Sequence, residues 1–368
     1  MNLRIATYNV NNLFERAAVL ELEGFSQQAA KVLQDVQRLN ELLAQDSYAG
    51  EVGTGIVKLL EQYKFHKDEK NPWFTINEIR NKLFRVKQDK SGVTLTAAGR
   101  KSWLGWVVLL RSNVNTVSTA NTGRVIRAVK ADVLCVVEVE DRLTLDRFNR
   151  NLLNGTYPHN LLVDGNDERG IDVGLLSKFE IRAVRSHIDD RFPNKAGQNV
   201  LKFSRDCPEY EVSLPNGNTL WMLCNHLKSK GYGNQADNDE KREGQANRIR
   251  GILGRFDLTT ELVVVAGDLN DTPNRKPLKN LLQTPHLFDV LASAKLQGPR
   301  WTYQDGRDQI DYLLVSKALH DRLQKVDIER RGIFRTDNFG GQFPHFPQVT
   351  GKVTQASDHA AVWAEFKI

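Results

Sequence analysis

The stretch ELVVVAGDLND, residues 261–271, joins a run of apolar residues to a short polar turn. An apolar, β-branched run followed by glycine and polar side chains is typical of a buried strand that ends at a loop. Asp268 and Asn270 would then lie at the carboxyl end of that strand. Because functional side chains are often carried on loops at one end of a rigid sheet, this turn is a first candidate for a site.

The same pattern, a short apolar run bounded by polar residues, recurs along the chain. The other predicted strands are NLRIATYNV (2–10), ADVLCVVEVE (131–140), IDVGLLS (171–177), EYEVSL (209–214), TLWMLCNHL (219–227), QIDYLLVS (309–316) and AAVWAEF (360–366). Pro-Asn-Gly-Asn at 215–218 predicts an antiparallel hairpin. Helical spacing near residues 235–256 and 275–283 favours an α/β fold in which two packed sheets are flanked by helices.

Residues 15–120 have a different character and predict a largely helical insertion between the first two strands. FSQQAAKVLQDVQRLNELLAQ (25–45) places its apolar residues at helical spacing. TINEIRNKLFRVKQ (75–88) begins with Thr75 and Glu78 at capping-box spacing, which predicts a second helix. Nothing catalytic is identifiable in the insertion, and a role in binding a protein partner is open but unsupported.

The composition sets broad limits on the class of protein. The chain has 368 residues, 40% of them hydrophobic, and we treat residues 1–368 as one catalytic domain. A net charge of +6 suits an anionic partner such as nucleic acid without requiring one. Three cysteines without C-x-x-C spacing support neither a disulfide scaffold nor a thiolate zinc site. Because no apolar stretch has the length of a signal peptide or a membrane span, we expect a cytoplasmic protein.

Polar side chains stand where the predicted strands meet solvent, and as a set they suit one reaction. They are Asn9, Glu138, His226, Asp268, Asn270, Asp311, Asp358 and His359. Each of them alone has an ordinary structural explanation, such as a turn cap or a hydrogen-bonded strand end. Phosphodiester hydrolysis, however, needs a divalent cation, a base for the attacking water, and donors to the phosphate and the leaving oxygen.

Each of these requirements has candidates in the set. Hard cations such as Mg²⁺ take carboxylate and amide oxygens. Side chains of this kind are Asn9, Glu138, Asp268, Asn270 and Asp358. A histidine with a pKa near neutrality, oriented by a carboxylate, can be the base, and His359 with Asp311 fits that role. His226 can then donate a hydrogen bond to the phosphate or to the leaving oxygen.

The order of these motifs resembles that of the endonuclease/exonuclease/phosphatase superfamily, which includes deoxyribonuclease I and exonuclease III. The motifs are TYNVNNLF, ADVLCVVEVED, RGIDVGLLS, NHLKSKG, VVVAGDLND, QIDYLLVS and SDHAAVW, and the resemblance covers residues 1–14 and about 122–368. It implies a four-layer α/β sandwich of two packed, mainly antiparallel sheets with the site at one edge. The insertion is much longer than the core of the family needs.

The resemblance also implies a metal site and a phosphate site. Glu138 would be the principal ligand of Mg²⁺ or Mn²⁺, joined by Asp358, with Asn9 beside it. Asp268 and Asn270 would orient the nucleophile and hold the scissile phosphate. Whether Asp268 also contacts a second metal ion is left open by the resemblance.

The remaining roles implied by the resemblance belong to two histidines. His359, paired with Asp311, would be the general base. His226 matches the histidine of the deoxyribonuclease I branch, and its acidic partner would be Asp172 in preference to Glu168.

The flanking residues favour nucleic acid as the substrate. Lys228 and Lys230 directly follow His226 and can track a phosphate backbone. Aromatic residues in RGIFRTDNFGGQFPHFPQV (331–349) and in Trp301-Thr302-Tyr303 can stack on bases or anchor loops to the core. We therefore expect a divalent-metal-dependent nuclease that acts on DNA or RNA. A phosphatase or phosphodiesterase that acts on inositol phosphates, phospholipid headgroups or another small phosphoester is the alternative, although the P-A-W-C-D-R motif of inositol 5-phosphatases is missing.

Overall fold

A computed structural model describes residues 1–13, 27–67, 71–110, 116–193, 197–231, 233–335 and 344–368. The chain divides into two compact units. The larger comprises Met1–Phe14 with Val114–Ile368, and the smaller comprises Glu15–Asn113. Within the described ranges, no helix has the length and apolar character needed to cross a membrane.

The described part of the chain contains eighteen strands and seven α-helices. The strands are β1 (Asn2–Leu13), β2 (Phe74–Arg80), β3 (Phe84–Val86), β4 (Val93–Leu95), β5 (Leu104–Leu109), β6 (Val133–Val139), β7 (His159–Leu162), β8 (Asp172–Ser177), β9 (Ile181–Arg185), β10 (Arg191–Pro193), β11 (Asn199–Leu201), β12 (Glu209–Ser213), β13 (Thr219–His226), β14 (Leu262–Asp268), β15 (Leu287–Asp289), β16 (Asp311–Ser316), β17 (Leu323–Glu329) and β18 (Ala361–Lys367). The helices are α1 (Gln27–Leu43), α2 (Glu51–Gln62), α3 (Thr116–Val129), α4 (Arg142–Leu152), α5 (Gln235–Leu253), α6 (Lys276–Leu282) and α7 (Lys317–His320).

The larger unit is built on two six-stranded sheets. Their strand orders are β17-β18-β1-β6-β8-β7 and β15-β16-β14-β13-β12-β9. In each sheet the two central strands run parallel, β1 with β6 and β13 with β14, and the other described neighbours run antiparallel. The predicted antiparallel hairpin joins β12 to β13. The prediction of an α/β fold with two mainly antiparallel sheets is confirmed.

Strand β6 is apolar over residues 133–137 because both of its faces are buried. Val133, Cys135 and Val137 belong to a buried cluster that also contains residues of the second sheet, such as Met222. The alternate residues of β6 pack in a second cluster with α3 and α4, which contribute Val125 and Phe148. Side chains on both faces of β6 are therefore buried, and successive side chains of a strand point to opposite faces.

The second sheet is covered in the same way. Its outward residues, among them Leu223 and Val265, form a third buried cluster. Ile249 of α5 and Leu278 of α6 complete that cluster. The predicted helices near 235–256 and 275–283 are thus confirmed. They cover the outer face of the second sheet, which carries His226, Asp268 and Asp311 at its strand ends.

The smaller unit has two helices followed by four short strands, and its second half corrects the prediction of a largely helical insertion. α1 confirms most of the helix predicted over 25–45. The first two predicted residues lie outside the described part, and the helix ends at Leu43, two residues earlier than predicted. The helix predicted over 75–88 is wrong, because this segment forms β2 and β3. Antiparallel pairing of β2 with the apolar β5 outweighs the local capping-box spacing, and it buries Phe74 in the core of the unit.

The end of the predicted insertion also differs. The smaller unit ends at Asn113, whereas residues 116–120 belong to α3 of the larger unit. α3 contributes Val125 and Ile126 to the cluster on the outer face of the first sheet. It is therefore part of the framework that carries the site.

Candidate active site

Three neighbouring strands of the second sheet place His226, Asp268 and Asp311 in one row. The parallel register of β13 and β14 sets His226 beside Asp268, and the antiparallel register of β14 and β16 sets Asp268 beside Asp311. All three side chains are buried. The row therefore follows from strand register, which no short motif specifies.

His359 is held against this row by a carboxylate and by a serine turn. Its Nδ1 lies 2.9 Å from Oδ2 of Asp311. Its backbone N–H donates to Oγ of Ser357, and that hydroxyl donates to the carbonyl of Asn9 at 2.7 Å. The backbone N–H of Asp311 in turn donates to Oγ1 of Thr302. The geometry fixes the ring so that Nε2 is the nitrogen left for other partners.

The charges around His359 shift its pKa and that of Asp268. Burial lowers the pKa of His359, but the carboxylates of Asp311 and Asp268 outweigh burial and raise it well above its ordinary value. Burial, with the charges of Asp311 and Glu138, raises the pKa of Asp268 to about 7. Oδ1 of Asp311 is buried and has no hydrogen-bond partner among the described residues. The site thus concentrates negative charge that its own groups do not fully offset.

Asn9, buried in β1, links the two sheets at this point. Its Nδ2 donates to Oε1 of Glu138 and to Oδ2 of Asp268, each at 3.2 Å. The same nitrogen lies 3.5 Å from Nε2 of His359. Its Oδ1 accepts from the backbone N–H of Asn11. One amide therefore contacts a carboxylate from each sheet.

Glu138 and Asp358 are less buried than the row beneath them. Their side chains are 18% and 22% exposed, so both reach solvent. Burial raises the pKa of Glu138, and the charge of Asp358 adds to that effect. Glu138 adopts φ +68°, as Asn270 adopts φ +54°, a backbone region that is costly for such residues and concentrated at functional sites.

His226 is buried in a different environment from His359. Its Nε2 lies 3.8 Å from Oε1 of Glu138 and 3.7 Å from Oδ2 of Asp268. Burial, together with the charges of Arg205 and His359, lowers the pKa of His226 well below its ordinary value. A neutral imidazole with one N–H and one acceptor nitrogen results.

The pairing predicted between His226 and Asp172 is wrong. Nδ1 of His226 has no hydrogen-bond partner in the described part of the chain, and Asp172 instead accepts from the backbone N–H of Gly165 at 2.9 Å. The alternative, Glu168, is exposed. Asp172 begins β8 of the first sheet, whereas His226 ends β13 of the second. Both residues lie at strand ends, but the two side chains do not pair.

These side chains open into a pocket of about 510 Å³. Its lining includes Glu138, His226, Asp268, Asn270, Asp358 and His359. Lys230 also lines it, and its ammonium group forms an ion pair with Asp271. Lys228 is not among the described lining residues of the pocket. Its backbone N–H donates to Gln245, and its carbonyl accepts from Arg242.

Three further lining residues escaped the sequence analysis or were left undecided there. Arg169 is the first residue of the RGIDVGLLS motif but was given no role there, and Arg205 lies in a stretch without strand or helix periodicity. Arg205 is buried, and its Nε lies 3.0 Å from Oδ2 of Asp167. Tyr303 lines the pocket with its ring 5.1 Å from that of His359. These residues carry no pattern of their own that would have marked them.

The two aromatic segments now have separate roles. Trp301 is buried, so it anchors its segment, and Tyr303 faces the pocket. In the loop over 331–349, Phe346 packs against the cluster of the first sheet, and Phe334 stacks on His345. Phe339 and Phe343 lie outside the described residues. For the described part of this loop, anchoring to the core is the supported interpretation.

Residues 112–359 match the sequence model of the Endonuclease/Exonuclease/phosphatase family. The match covers more than half of the chain, and the chain therefore belongs to this family. Members of the family are phosphoesterases or other hydrolases and are generally dependent on divalent metal, in agreement with the buried Asp268, Asp311 and His359 group. A search of curated proteins found no match.

Two solved structures support the fold. An endonuclease/exonuclease/phosphatase from Bacteroides vulgatus is 14% identical, with a TM-score of 0.50, over 69% of this chain and 91% of that chain. A protein of the same family from Bacteroides thetaiotaomicron is 12% identical, with a TM-score of 0.52, over 100% of this chain and 99% of that chain. At these identities the likeness concerns the fold alone.

Proposed function

We propose that this chain is a divalent-metal-dependent phosphodiesterase and that its substrate is nucleic acid. One observation carries the proposal. A histidine oriented by a carboxylate, His359 with Asp311, opens into the same pocket as the carboxylates of Glu138 and Asp358. A positioned base beside hard-cation ligands is the combination that water attack on a phosphodiester requires.

His359 is the base in this proposal. The hydrogen bond from Nδ1–H to Asp311 leaves Nε2 for the attacking water. The neighbouring carboxylates raise the pKa of His359, and a cation bound at Glu138 and Asp358 would offset their charge and favour the neutral ring that takes the proton. Asp311 then stabilises the imidazolium that forms. Oδ2 of Asp268 lies 3.8 Å from the same Nε2, so Asp268 can accept a hydrogen bond from the water and orient it.

Glu138 and Asp358 fit a hard divalent cation, Mg²⁺ or Mn²⁺, and Asn9 lies beside them. Burial raises the pKa of Glu138, and the charge of Asp358 adds to that effect, which a bound cation would offset. When bound, the cation supplies positive charge that polarises the scissile phosphate. His359 is a poorer ligand for such an ion than a carboxylate and already donates to Asp311, so it serves as the base.

Neutral donors complete the proposed site. Asn9 presents an amide nitrogen between Glu138 and Asp268. His226, neutral because its pKa is lowered, can donate one N–H to a phosphate oxygen or to the leaving oxygen. Asn270 donates its own amide to the carbonyl of Leu227, which holds the side chain at the pocket wall.

Basic lining residues support a polyanionic substrate. Arg169, Arg205 and Lys230 line the pocket, and Tyr303 offers an aromatic face next to His359. The combination of basic and aromatic side chains suits a nucleotide backbone with stacked bases. Membership of the family supports a phosphoesterase, the broader class to which a nuclease belongs.

The test incubates the purified chain with plasmid DNA, single-stranded DNA and RNA, with Mg²⁺ or Mn²⁺ and then with EDTA. We expect cleavage that requires the metal and stops on its removal. Cleavage that persists in EDTA would contradict the metal assignment, and intact polymers under all metal conditions would contradict the nuclease proposal.

A second candidate is a phosphatase or phosphodiesterase that acts on a small hydroxylated phosphoester. Asp305 and Asp308 also line the pocket, and carboxylates suit the hydroxyl groups of a sugar or an inositol better than a polyanion. Release of inorganic phosphate from inositol phosphates or sugar phosphates, without cleavage of polymers, would favour this candidate.

A further inference from the structure

The positive charge of the chain is concentrated in the strand-rich part of the smaller unit. Residues 71–110 contain seven Lys or Arg and two Asp or Glu, a formal net charge of +5, whereas the whole chain carries +6. Thus about a tenth of the sequence holds nearly all of the net charge. An excess of positive charge in one segment favours an anionic partner, and the position of the individual cations decides which surface could bind it.

The ribbon formed by β2 and β5 also exposes apolar side chains on one face. Register pairs Asn77 with Trp106 and Arg80 with Leu104, and residues directly opposite share a face. Trp106 is 46% exposed and Leu104 is 39% exposed. Trp106 makes no ring or cation–π contact with any described residue, so its face is available. The opposite face of the ribbon, including Val107, packs on the core of the unit.

Cations stand at one end of the same face. A guanidinium nitrogen of Arg80 lies 3.4 Å from the carbonyl of Lys101, which sets these two residues next to each other beside Leu104. The side chain of Lys101 is 87% exposed, and it forms an ion pair at 3.8 Å with Asp46, whose side chain is 84% exposed. Arg80 forms no ion pair with any of the residues that the structure describes. We call Arg80, Lys101, Leu104 and Trp106 the ribbon face.

We propose that the ribbon face binds single-stranded nucleic acid. A strand pair with an exposed tryptophan offers a stacking platform for a base, and the adjacent cations match the phosphates on either side. The choice of nucleic acid as the occupant rests on the proposed function. The binding itself needs no catalysis, because no residue of the ribbon face belongs to the pocket.

The test measures binding by the full chain to a short fluorescein-labelled single strand, and to its duplex, by fluorescence anisotropy in EDTA. Trp106→Ala should weaken single-strand binding by about 5- to 100-fold, because the variant has no aromatic ring on which a base can stack. Trp106→Phe should retain most of the affinity. Leu143→Ala, at another exposed apolar residue, is the matched control and should bind as the wild type does.

A second pair of variants tests the charges. Arg80→Gln combined with Lys101→Gln should reduce the slope of log affinity against log salt by about 0.7 for each phosphate that the two cations neutralise. Arg38→Gln combined with Lys58→Gln, on α1 and α2 of the same unit, should leave the slope unchanged. This measurement keeps the proposal testable even if Trp106→Ala destabilises the unit.

Three results would overturn the proposal. They are no single-strand binding by the wild type, equal affinity of Trp106→Ala and of the charge variant with the wild type, and tighter Trp106-dependent binding to vesicles of phosphatidylcholine and phosphatidylserine. The last result would assign the face to a membrane surface. Cleavage of nucleic acid with no effect of Trp106→Ala would contradict only the ribbon face, and Trp106-dependent binding without cleavage of polymers would contradict only the proposed function.

Discussion

Of the three buried histidines described in the larger unit, His359 and His187 each have a ring nitrogen 2.9 Å from a carboxylate oxygen. The clusters around these two differ in how their charges are satisfied. His359 contacts Asp311 and lies near Asp268. His187 contacts Asp190 through Nδ1 at 2.9 Å and Glu209 through Nε2 at 2.5 Å. By composition the two clusters are nearly the same, a buried imidazole between two acids.

Their surroundings differ. Arg248 forms an ion pair with Asp190 and Arg255 forms one with Glu209, so each acid of the His187 cluster has a cation of its own. The His359 cluster opens into the pocket, and one oxygen of Asp311 has no partner among the described residues. A buried acid with its own cation stabilises the fold, whereas converging acids without one indicate a site for a ligand. Residue types therefore do not distinguish structure from function here, but charge compensation does.

The largest expected effect is a difference in kcat between variants of His359 and His187. His359→Ala should lower kcat by about 10²- to 10⁴-fold, because this variant lacks the proposed base. His187→Ala should change kcat little, although its melting temperature should fall. Steady-state rates with the preferred phosphoester, and circular dichroism melts, measure both. A comparable loss of kcat in His187→Ala would break the comparison.

A second contrast concerns the acids. Glu138→Gln removes a proposed metal ligand and should raise the metal concentration for half-maximal activity by at least about tenfold. Glu209→Gln, at an acid already paired with Arg255, should leave that concentration unchanged. Activity titrated against Mg²⁺ and Mn²⁺ tests both variants. An unchanged metal requirement in Glu138→Gln would mean that the ligand is misassigned.

The stability of the His187 cluster should depend on pH. Burial lowers the pKa of His187, but Glu209 and Asp190 outweigh burial and raise it above its ordinary value. The protonated form is therefore stabilised by folding, and this contribution is complete below the unfolded pKa of about 6.5 and disappears as pH rises through the folded pKa.

The variant His187→Gln removes that contribution. At pH 5.5 it should be less stable than the wild type by about 1.5–3 kcal/mol, the range for hydrogen bonds to charged groups. The difference should shrink at pH 9, because the charged form of the wild-type histidine is lost as pH rises through its folded pKa. Urea unfolding at both pH values measures the gap, and a gap that widens with rising pH would contradict the sign.

The smallest expected effect is a difference in KM between variants of Arg205 and Arg248. Arg205→Gln should raise KM by about tenfold with less change in kcat, because it removes a cation from the pocket. Arg248→Gln, whose partner Asp190 belongs to the closed cluster, should leave KM unchanged and affect only stability. A matched rise of KM in both variants would point to a general loss of structure.

Much of the site could be predicted because strand ends are marked locally. Asn9, Glu138, Asp268, Asp358 and His359 each follow or precede an apolar run. The structure brings all five together around one pocket or its floor. Their individual roles in metal binding and catalysis stay predictions that the variants above address.

The errors share one cause, because each concerned a contact between distant segments. The segment 75–88 carries helix-like spacing, yet pairing with β5 decides its conformation. Asp172 and His226 both stand at strand ends, yet they belong to different sheets and do not pair. Arg205 reaches the pocket from a segment without periodicity, so local sequence gave no sign of it.

The sequence by itself determined which segments are strands in the larger unit and their order along the chain. It also determined the polar groups at the strand ends and the membership of the family. Each of these depends on residues that are neighbours along the chain. Only the tertiary structure decided that Asp311 pairs with His359 while Asp190 and Glu209 pair with His187. The physical reason is that charge compensation depends on distance in space, and strand register brings together residues that are far apart in sequence.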